Sequence, residues 1–433
     1  MSFDVLAMVL AGGMGERLLP LTGVRSKPAV PFGGSYRIID FTLSNCINSG
    51  LRHIYVLTQY KSHSLSNHLR AGWDFLPRRL DQFIDEIPAQ MQLGDRWYRG
   101  TADAIRQNWS LVEQSPASRV LILSGDHIYK MDYRRMQDFH DEREAALTVS
   151  AIRVPRTEAH QFGVLQVDEQ NRIVGFQEKP SDPTPIPGTE ECLASMGIYV
   201  FARDKLRLYL CEAHDDFGRH VLPAMVAAGE KVVAFDFTTQ NQISENEWFQ
   251  EGGGRFKRVV ERAADSTYWR DVGTLEAYWA ANLDLVSAAP SINLYGELWP
   301  IYNCPQHFPP AKFVHEAHNR TGMAINSIVA DGVIVSGAKA RRSILGPGTH
   351  LHSYAYVENS VLMGGEMSAG TLLETSIGRG CLVRNAIIDR NVRLSPGTYI
   401  GLDRDADEAR GLKTCPIQGS GEHLVVVPKG MLL

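Results

Sequence analysis

Hydrophobic positions in the first part of the chain gather into short, nearly unbroken runs. Val5-Leu6-Ala7-Met8-Val9-Leu10 is apolar throughout, and His53–Thr58, residues 120–124 and residues 146–151 repeat the pattern. Runs of this length suit strands covered on both faces. Between them, residues 101–114 and 132–144 are helical candidates. Strands alternating with helices predict a doubly wound α/β domain with a mostly parallel sheet, expected over residues 1–285. Ligands of such sheets bind at the carboxyl ends of the strands. Function is therefore expected in the loops after Leu10 and Ser124.

The pattern changes after about residue 285. Pro290, Pro300, Pro305, Pro309 and Pro310 mark a linker, expected over residues 286–315. Beyond it, Leu382, Ile388, Leu394 and Ile400 recur every six residues, and Ala386, Val392 and Thr398 keep the same spacing two positions earlier. Ile328 and Ile334 show the period upstream, and the triplets beginning at Ser343, Ser360 and Ala386 resemble one another. A six-residue period with Gly-rich corners predicts a left-handed parallel β-helix over residues 316–433, in which stacked coils share one core. A β-sandwich with accidental spacing is the alternative.

Composition narrows the setting more than the chemistry. The net charge of −5 is mild and no Lys/Arg block stands out, which argues against a nucleic-acid surface. The six cysteines are scattered, with no Cys-x-x-Cys, as expected of a reducing cytoplasm without a zinc site. Met1-Ser2-Phe3-Asp4 lacks a basic leader, and the apolar stretch that follows is too short to span a membrane. A cytoplasmic protein that does not engage membrane is expected.

The loop after the first strand reads Ala11-Gly12-Gly13-Met14-Gly15-Glu16-Arg17. Adjacent glycines let backbone N–H groups approach phosphate, and Arg17 adds a permanently charged fork. A simple tight turn would read the same way, and neither the dinucleotide fingerprint nor a Walker A loop is present. A second cation, Lys27, follows closely, with Pro28 fixing the backbone after it. Asp126 follows the strand at 120–124, where a hard cation is commonly held; an Asx turn or helix cap is the competing reading. Glu178-Lys179-Pro180 sets an acid beside a base, which alone would suit a surface ion pair equally well.

Taken in order, these motifs resemble the sugar-nucleotide pyrophosphorylases over nearly the whole chain. Arg37-Ile38-Ile39-Asp40-Phe41, Leu43-Ser44-Asn45-Cys46, Trp97-Tyr98-Arg99-Gly100-Thr101-Ala102-Asp103, Gly125-Asp126-His127 and Tyr268-Trp269-Arg270-Asp271-Val272-Gly273 point to the bacterial ADP-glucose branch, the glucose-1-phosphate adenylyltransferases. The resemblance implies ATP and glucose 1-phosphate as substrates, ADP-glucose for glycogen synthesis as product, and Mg²⁺ held by Asp126 and Asp271. It implies catalytic roles for Arg17, Lys27 and Asp126, and a glucose 1-phosphate pocket of Tyr98, Gly163, Glu178, Lys179 and Ser195. Leu10, Ala11, Gly12, Gly13, Gly15, Gln90 and Gly100 are the implied nucleotide-binding residues. It also implies small-molecule allosteric effectors and a homotetramer.

The resemblance weakens at the effector site. Enteric-type members carry a Lys-Arg pair before Lys-Pro-Ala where this chain has Val24-Arg25, and a His where it has Pro31. Arg25 and Arg37 remain as effector contacts. Residues 239–266, with Gly252-Gly253-Gly254, look longer than the family's and read as a mobile loop. Three other functions compete: a UTP- or dTTP-dependent pyrophosphorylase, a non-catalytic regulatory subunit of the same fold, and acyl transfer by the β-helix through His350 or His352.

Overall fold

The computed structural model describes residues 4–90, 96–211, 213–317, 320–368 and 370–433; the reading of Met1-Ser2-Phe3 lies outside them. Val5–Leu10 is at the middle of a sheet that holds nine strands among the described residues. It pairs in parallel with His53–Thr58 on one side and Arg119–Ser124 on the other, and His53–Thr58 pairs in parallel with Phe83–Pro88. Ala7, Met8 and Val9 are fully buried, as runs sandwiched between two layers must be. Beyond this parallel half, the long strand Glu191–Ala202 runs antiparallel to Arg119–Ser124, Leu147–Pro155 and Gly163–Val167. Its pairing slips between Ser195 and Ile198, a bulge that re-aims the strand beside the cleft.

The helical stretch expected at 101–114 is two helices, Thr101–Gln107 and Trp109–Gln114. The break has a local cause. Asn108 donates from its side chain to the Ala104 carbonyl and to Tyr98 Oη, both at 2.8 Å, and so competes with the backbone ladder. The second helix, Tyr133–Glu142, is capped by Asp132, whose carboxylate accepts from Arg134 N at 3.0 Å.

Residues 239–266 correct an expectation. The segment is built around a β-hairpin, Glu245–Glu251 against Gly254–Val260, rather than a loop. Gly252 and Gly253, both with positive φ, make the turn, and Arg255 and Lys257 pack over the Trp248 ring. Alternation of side chains across the two strands was hidden by their charge.

Between the helix Leu275–Asp284 and the strand Lys312–Val314 no helix or strand forms. The segment is nonetheless strapped to the helix Ile38–Asn48. Trp299 Nε1 donates to Asn45 Oδ1, Tyr302 N to Ser44 Oγ, and Asn48 Nδ2 to the Pro300 carbonyl.

The remainder winds into a parallel β-helix with three faces. On one face Ile328 pairs with Ile344, Ile344 with Val361, and Val361 with Ile387. The core is a stack of Val335, Leu351 and Ile377, of Ala340, Val357, Val383 and Ile400, and of Leu345, Leu362 and Ile388. Three of the periodic positions sit one residue out of phase, the first being Ile328, which packs toward the α/β unit while Val329 packs on the coil core. Ile334 is exposed and Leu382 half-buried, while Val335 and Val383 point inward, because a strand turns alternate side chains to opposite faces. The β-helix docks on the α/β unit through a shared apolar cluster in which Val30, Phe32, Phe41 and Tyr278 meet Ile344, Val361, Ile387 and Val426.

Candidate active site

A cleft of about 800 Å³ opens at the carboxyl ends of the parallel strands. The glycine loop forms one wall. Gly15 has φ +64°, and a Cβ there would meet Thr22 Cγ2 at 3.0 Å and Lys27 Cβ at 3.1 Å, so the loop is folded tightly against the segment that carries the second cation. Gly100 is held for a different reason: a Cβ would lie 2.3 Å from the Asp215 carbonyl oxygen. That carbonyl accepts from Ala102 N and Asp103 N at the start of the helix Thr101–Gln107, which ties the 215–218 turn to the cleft.

The two aspartates, far apart in sequence, are brought together by a small antiparallel ladder. Trp269–Asp271 pairs with His127–Tyr129, and the register sets Asp271 opposite His127, beside Asp126. Lys27 Nζ lies 2.9 Å from Asp126 Oδ2 and 2.9 Å from Asp271 Oδ1. Burial works against the charge on Lys27, but the two carboxylates outweigh it and raise its pKa. Burial likewise opposes ionisation of Asp126. Lys27, His127 and the Ser124 hydroxyl overcome it and hold the carboxyl well below the usual carboxylate range. Arg17 is mostly exposed and its Nη2 stands 3.9 Å from Asp271 Oδ2, free to swing toward a ligand. His127 packs against Trp269 at a tilt of 57°, with ring centroids 4.9 Å apart.

On the opposite wall Glu178 ends the strand Ile173–Glu178, and Lys179 follows in the left-handed region at φ +47°, its N–H donating to the Phe162 carbonyl at 3.0 Å. Lys179 Nζ and Arg219 Nε lie 4.0 and 3.7 Å from Glu178 Oε1. Tyr98, Gly163 and Ser195 line the same wall. Leu10, Gly12, Gly13, Gly15 and Gly100 line the cleft as well, whereas Ala11 is buried beneath the loop. Gln90 lies past the end of Phe83–Pro88, outside the lining.

Lining residues that sequence reasoning did not assign include Gln59, Asp216 and Trp269. Gln59 accepts from Tyr98 N at 2.8 Å, Asp216 accepts from Thr101 Oγ1 at 3.1 Å, and Trp269 begins the strand that ends at Asp271. The acidic pair Asp215-Asp216 two residues before Gly218 was the available signal.

Arg25 and Arg37 are not in the cleft. They lie at the junction with the β-helix, beside Arg390. Arg25 is buried and donates from Nη1 alone to both carboxylate oxygens of Asp389, and its Nη2 is buried without a partner. Arg37 donates from Nη1 to the Ser64 carbonyl and hydroxyl. Burial and the neighbouring charges of Arg390 and Arg25 pull its pKa down to about 9. Arg390 is depressed in the same way, first by burial and then by Arg25, and its Nε lacks a partner. Two charged residues, Asp389 and Arg390, directly after the apolar Ala386–Ile388 strand were the sequence signal for this cluster.

Residues 6–288 match the family described as Nucleotidyl transferase, and residues 309–417 the one described as GlmU-like, C-terminal hexapeptide. The chain is 46% identical to the glucose-1-phosphate adenylyltransferase of Deinococcus radiodurans, over 98% of each chain. It is 44% identical to that of Rhodopirellula baltica, over 99% of this chain and 91% of the relative. It is 45% identical to glucose-1-phosphate adenylyltransferase 2 of Vibrio cholerae, over 98% of each.

Proposed function

The chain belongs to the glucose-1-phosphate adenylyltransferases, nucleotidyl transferases with a left-handed β-helix, and from that premise we propose how its cleft converts ATP and α-D-glucose 1-phosphate to ADP-glucose and pyrophosphate. The product is the glucosyl donor for α-1,4-glucan (glycogen) synthesis. The observation that carries the reading is the meeting, in one cleft, of a glycine loop, a Lys27-bridged aspartate pair and the Glu178-Lys179 corner. The proposed units are residues 1–285 for catalysis, 286–315 as linker and 316–433 for regulation and assembly.

A phosphate oxygen of glucose 1-phosphate attacks the α-phosphorus of ATP, a new O–P bond forms, and the bond to pyrophosphate breaks. The nucleophile needs no general base, because a phosphate monoester with a second pKa of about 6 is already ionised near neutrality. The obstacles are repulsion between two anions and charge on the leaving group. Asp126 and Asp271 fit a divalent metal: they are oxygen donors from the turn after Arg119–Ser124 and from the end of Trp269–Asp271, drawn together around one point of positive charge now held by the Lys27 ammonium. They would hold Mg²⁺, which when bound neutralises phosphate oxygens and the departing pyrophosphate. Arg17 and Lys27 add fixed positive charge on the nucleotide side, and backbone N–H groups at Gly12, Gly13 and Gly15 cradle phosphate there. Lys179 binds the sugar phosphate, and Glu178, Tyr98, Gly163 and Ser195, joined by Asp216, receive the glucose.

Arg25, Arg37 and Arg390 are the proposed seat of an anionic effector, supported by buried guanidinium N–H groups without partners. The test of the main reading is pyrophosphate release with Mg²⁺, glucose 1-phosphate and each of ATP, UTP and dTTP. ATP is expected to be preferred. Preference for UTP or dTTP overturns the nucleotide assignment, and no turnover with any of them favours a regulatory subunit.

A further inference from the structure

Two buried cations, Arg25 and Lys27, lie two positions apart on the chain and reach in different directions. Lys27 holds the aspartates of the cleft. Arg25 Nη1 reaches into the β-helix and donates to both oxygens of Asp389, at 2.9 and 3.1 Å. Ser26, between them, is fully buried. Pro28 follows, and the turn Lys27–Ala29 is closed by Ala29 N to the Ser26 carbonyl and Val30 N to the Lys27 carbonyl, both at 3.1 Å. Two residues of backbone span at most about 7 Å, so this segment carries a shift at Arg25 to Lys27 with little slack.

Asp389 is itself fixed. It is fully buried, its Oδ1 also accepts from Arg390 N at 2.6 Å, and its N–H donates to the Val427 carbonyl at 3.0 Å. A buried ion pair is a poor device for stability, since well-packed apolar groups hold two units together as well or better. What the bonds from Arg25 Nη1 to both oxygens of one carboxylate add is placement, because a charge-assisted contact to a fixed acceptor anchors the end of the side chain at one point of the β-helix.

We propose that Asp389, a β-helix residue that never meets substrate, is a positioning residue for adenylyl transfer: by holding Arg25 it sets the Arg25-Ser26-Lys27 segment and so the place of the Lys27 ammonium between Asp126 and Asp271. The proposal rests on the reading of Lys27 given above, and ADP-glucose formation by the unmodified enzyme, measured first, tests that reading separately.

The experiment compares Asp389→Ala, Asp389→Asn and Asp389→Glu with the wild type in the full-length enzyme, with kcat and both KM values, far-UV circular dichroism, and sodium formate, an anion the size of the carboxylate removed. Asp389→Ala is expected to lose about 100-fold in kcat, as for a catalytic group displaced by an ångström, with much smaller changes in KM. Formate, entering the space left beside Arg25, is expected to restore part of that kcat and to leave the wild type unchanged. It is expected to do nothing for Asp389→Asn, whose amide fills the space. Asp389→Glu keeps the charge and is expected to recover most of the rate. A merely structural pair would not respond to formate in this size-dependent way. Wild-type kcat in Asp389→Ala overturns the proposal, as does equal rescue of the Asn variant. Loss of the fold in both neutral variants also overturns it, because the pair would then act on stability alone.

Discussion

At the scale of single residues, the arrangement around Lys27 makes Asp271 the most informative position. Asp271→Asn keeps the shape of the side chain and removes one charge from the aspartate pair that the Lys27 ammonium bridges. It is expected to lower kcat severely and raise the Mg²⁺ requirement while leaving the melting temperature nearly unchanged, since the carboxylate is partly exposed at the cleft. A Mg²⁺ titration of kcat beside a thermal melt checks this, and near-normal turnover at ordinary Mg²⁺ sinks the assignment. Across the cleft, Lys179 is more than half exposed and its ammonium is not held by a close partner, as suits a group that waits for a phosphate. Lys179→Gln is expected to raise the KM for glucose 1-phosphate by about 10- to 100-fold, the loss of one charge-assisted contact, with the KM for ATP nearly unchanged. A matching rise for ATP would move Lys179 to the nucleotide subsite.

At the scale of elements, the chain announced its strands well and its junctions poorly. Val5–Leu10, His53–Thr58 and Arg119–Ser124 were legible because burial on both faces leaves an unbroken apolar run. The hairpin at 245–260 was not, because its exposed strands carry Glu, Arg and Lys where a buried strand would carry Val or Ile. The split of 101–114 hung on one side chain, Asn108, whose partners include Tyr98 ten positions back. Lys27, Asp126 and Asp271 were found through motifs, but their common meeting point depends on the Trp269–Asp271 ladder, whose three residues show no period at all. Arg390 escaped because an arginine in a coil reads as surface until the docking of the two units buries it. The arginine cluster also bears on regulation. Val24, where enteric-type relatives have Lys, is exposed beside Arg25, and Pro31 lies in a short strand against Tyr36–Arg37. Fructose 1,6-bisphosphate is expected to activate weakly or not at all, with monophosphates such as fructose 6-phosphate performing better. Val24→Lys is expected to strengthen the bisphosphate's apparent affinity with little change in unactivated kcat. Strong activation of the unmodified enzyme at micromolar bisphosphate would show that other residues build the site.

At the scale of the whole molecule, Ile325, Tyr399 and Leu402 leave large apolar side chains exposed on the β-helix, the kind of surface that subunits cover. The proposed homotetramer is expected to sediment at four times the 48.2 kDa chain mass, and a monomer in sedimentation equilibrium at micromolar protein would refute it. No helix among the described residues is long and apolar enough to cross a membrane. The apolar cluster shared by Phe32, Phe41 and Tyr278 with Ile344, Ile387 and Val426 belongs to neither unit alone. Neither half can therefore melt and leave the other's core intact. Heat should register the chain as one cooperative body, with calorimetric and van't Hoff enthalpies close to each other. A cavity cut into the β-helix at Ile387, outside the cleft, would then lower the temperature at which catalysis is lost by as much as it lowers the melting point of the coils themselves.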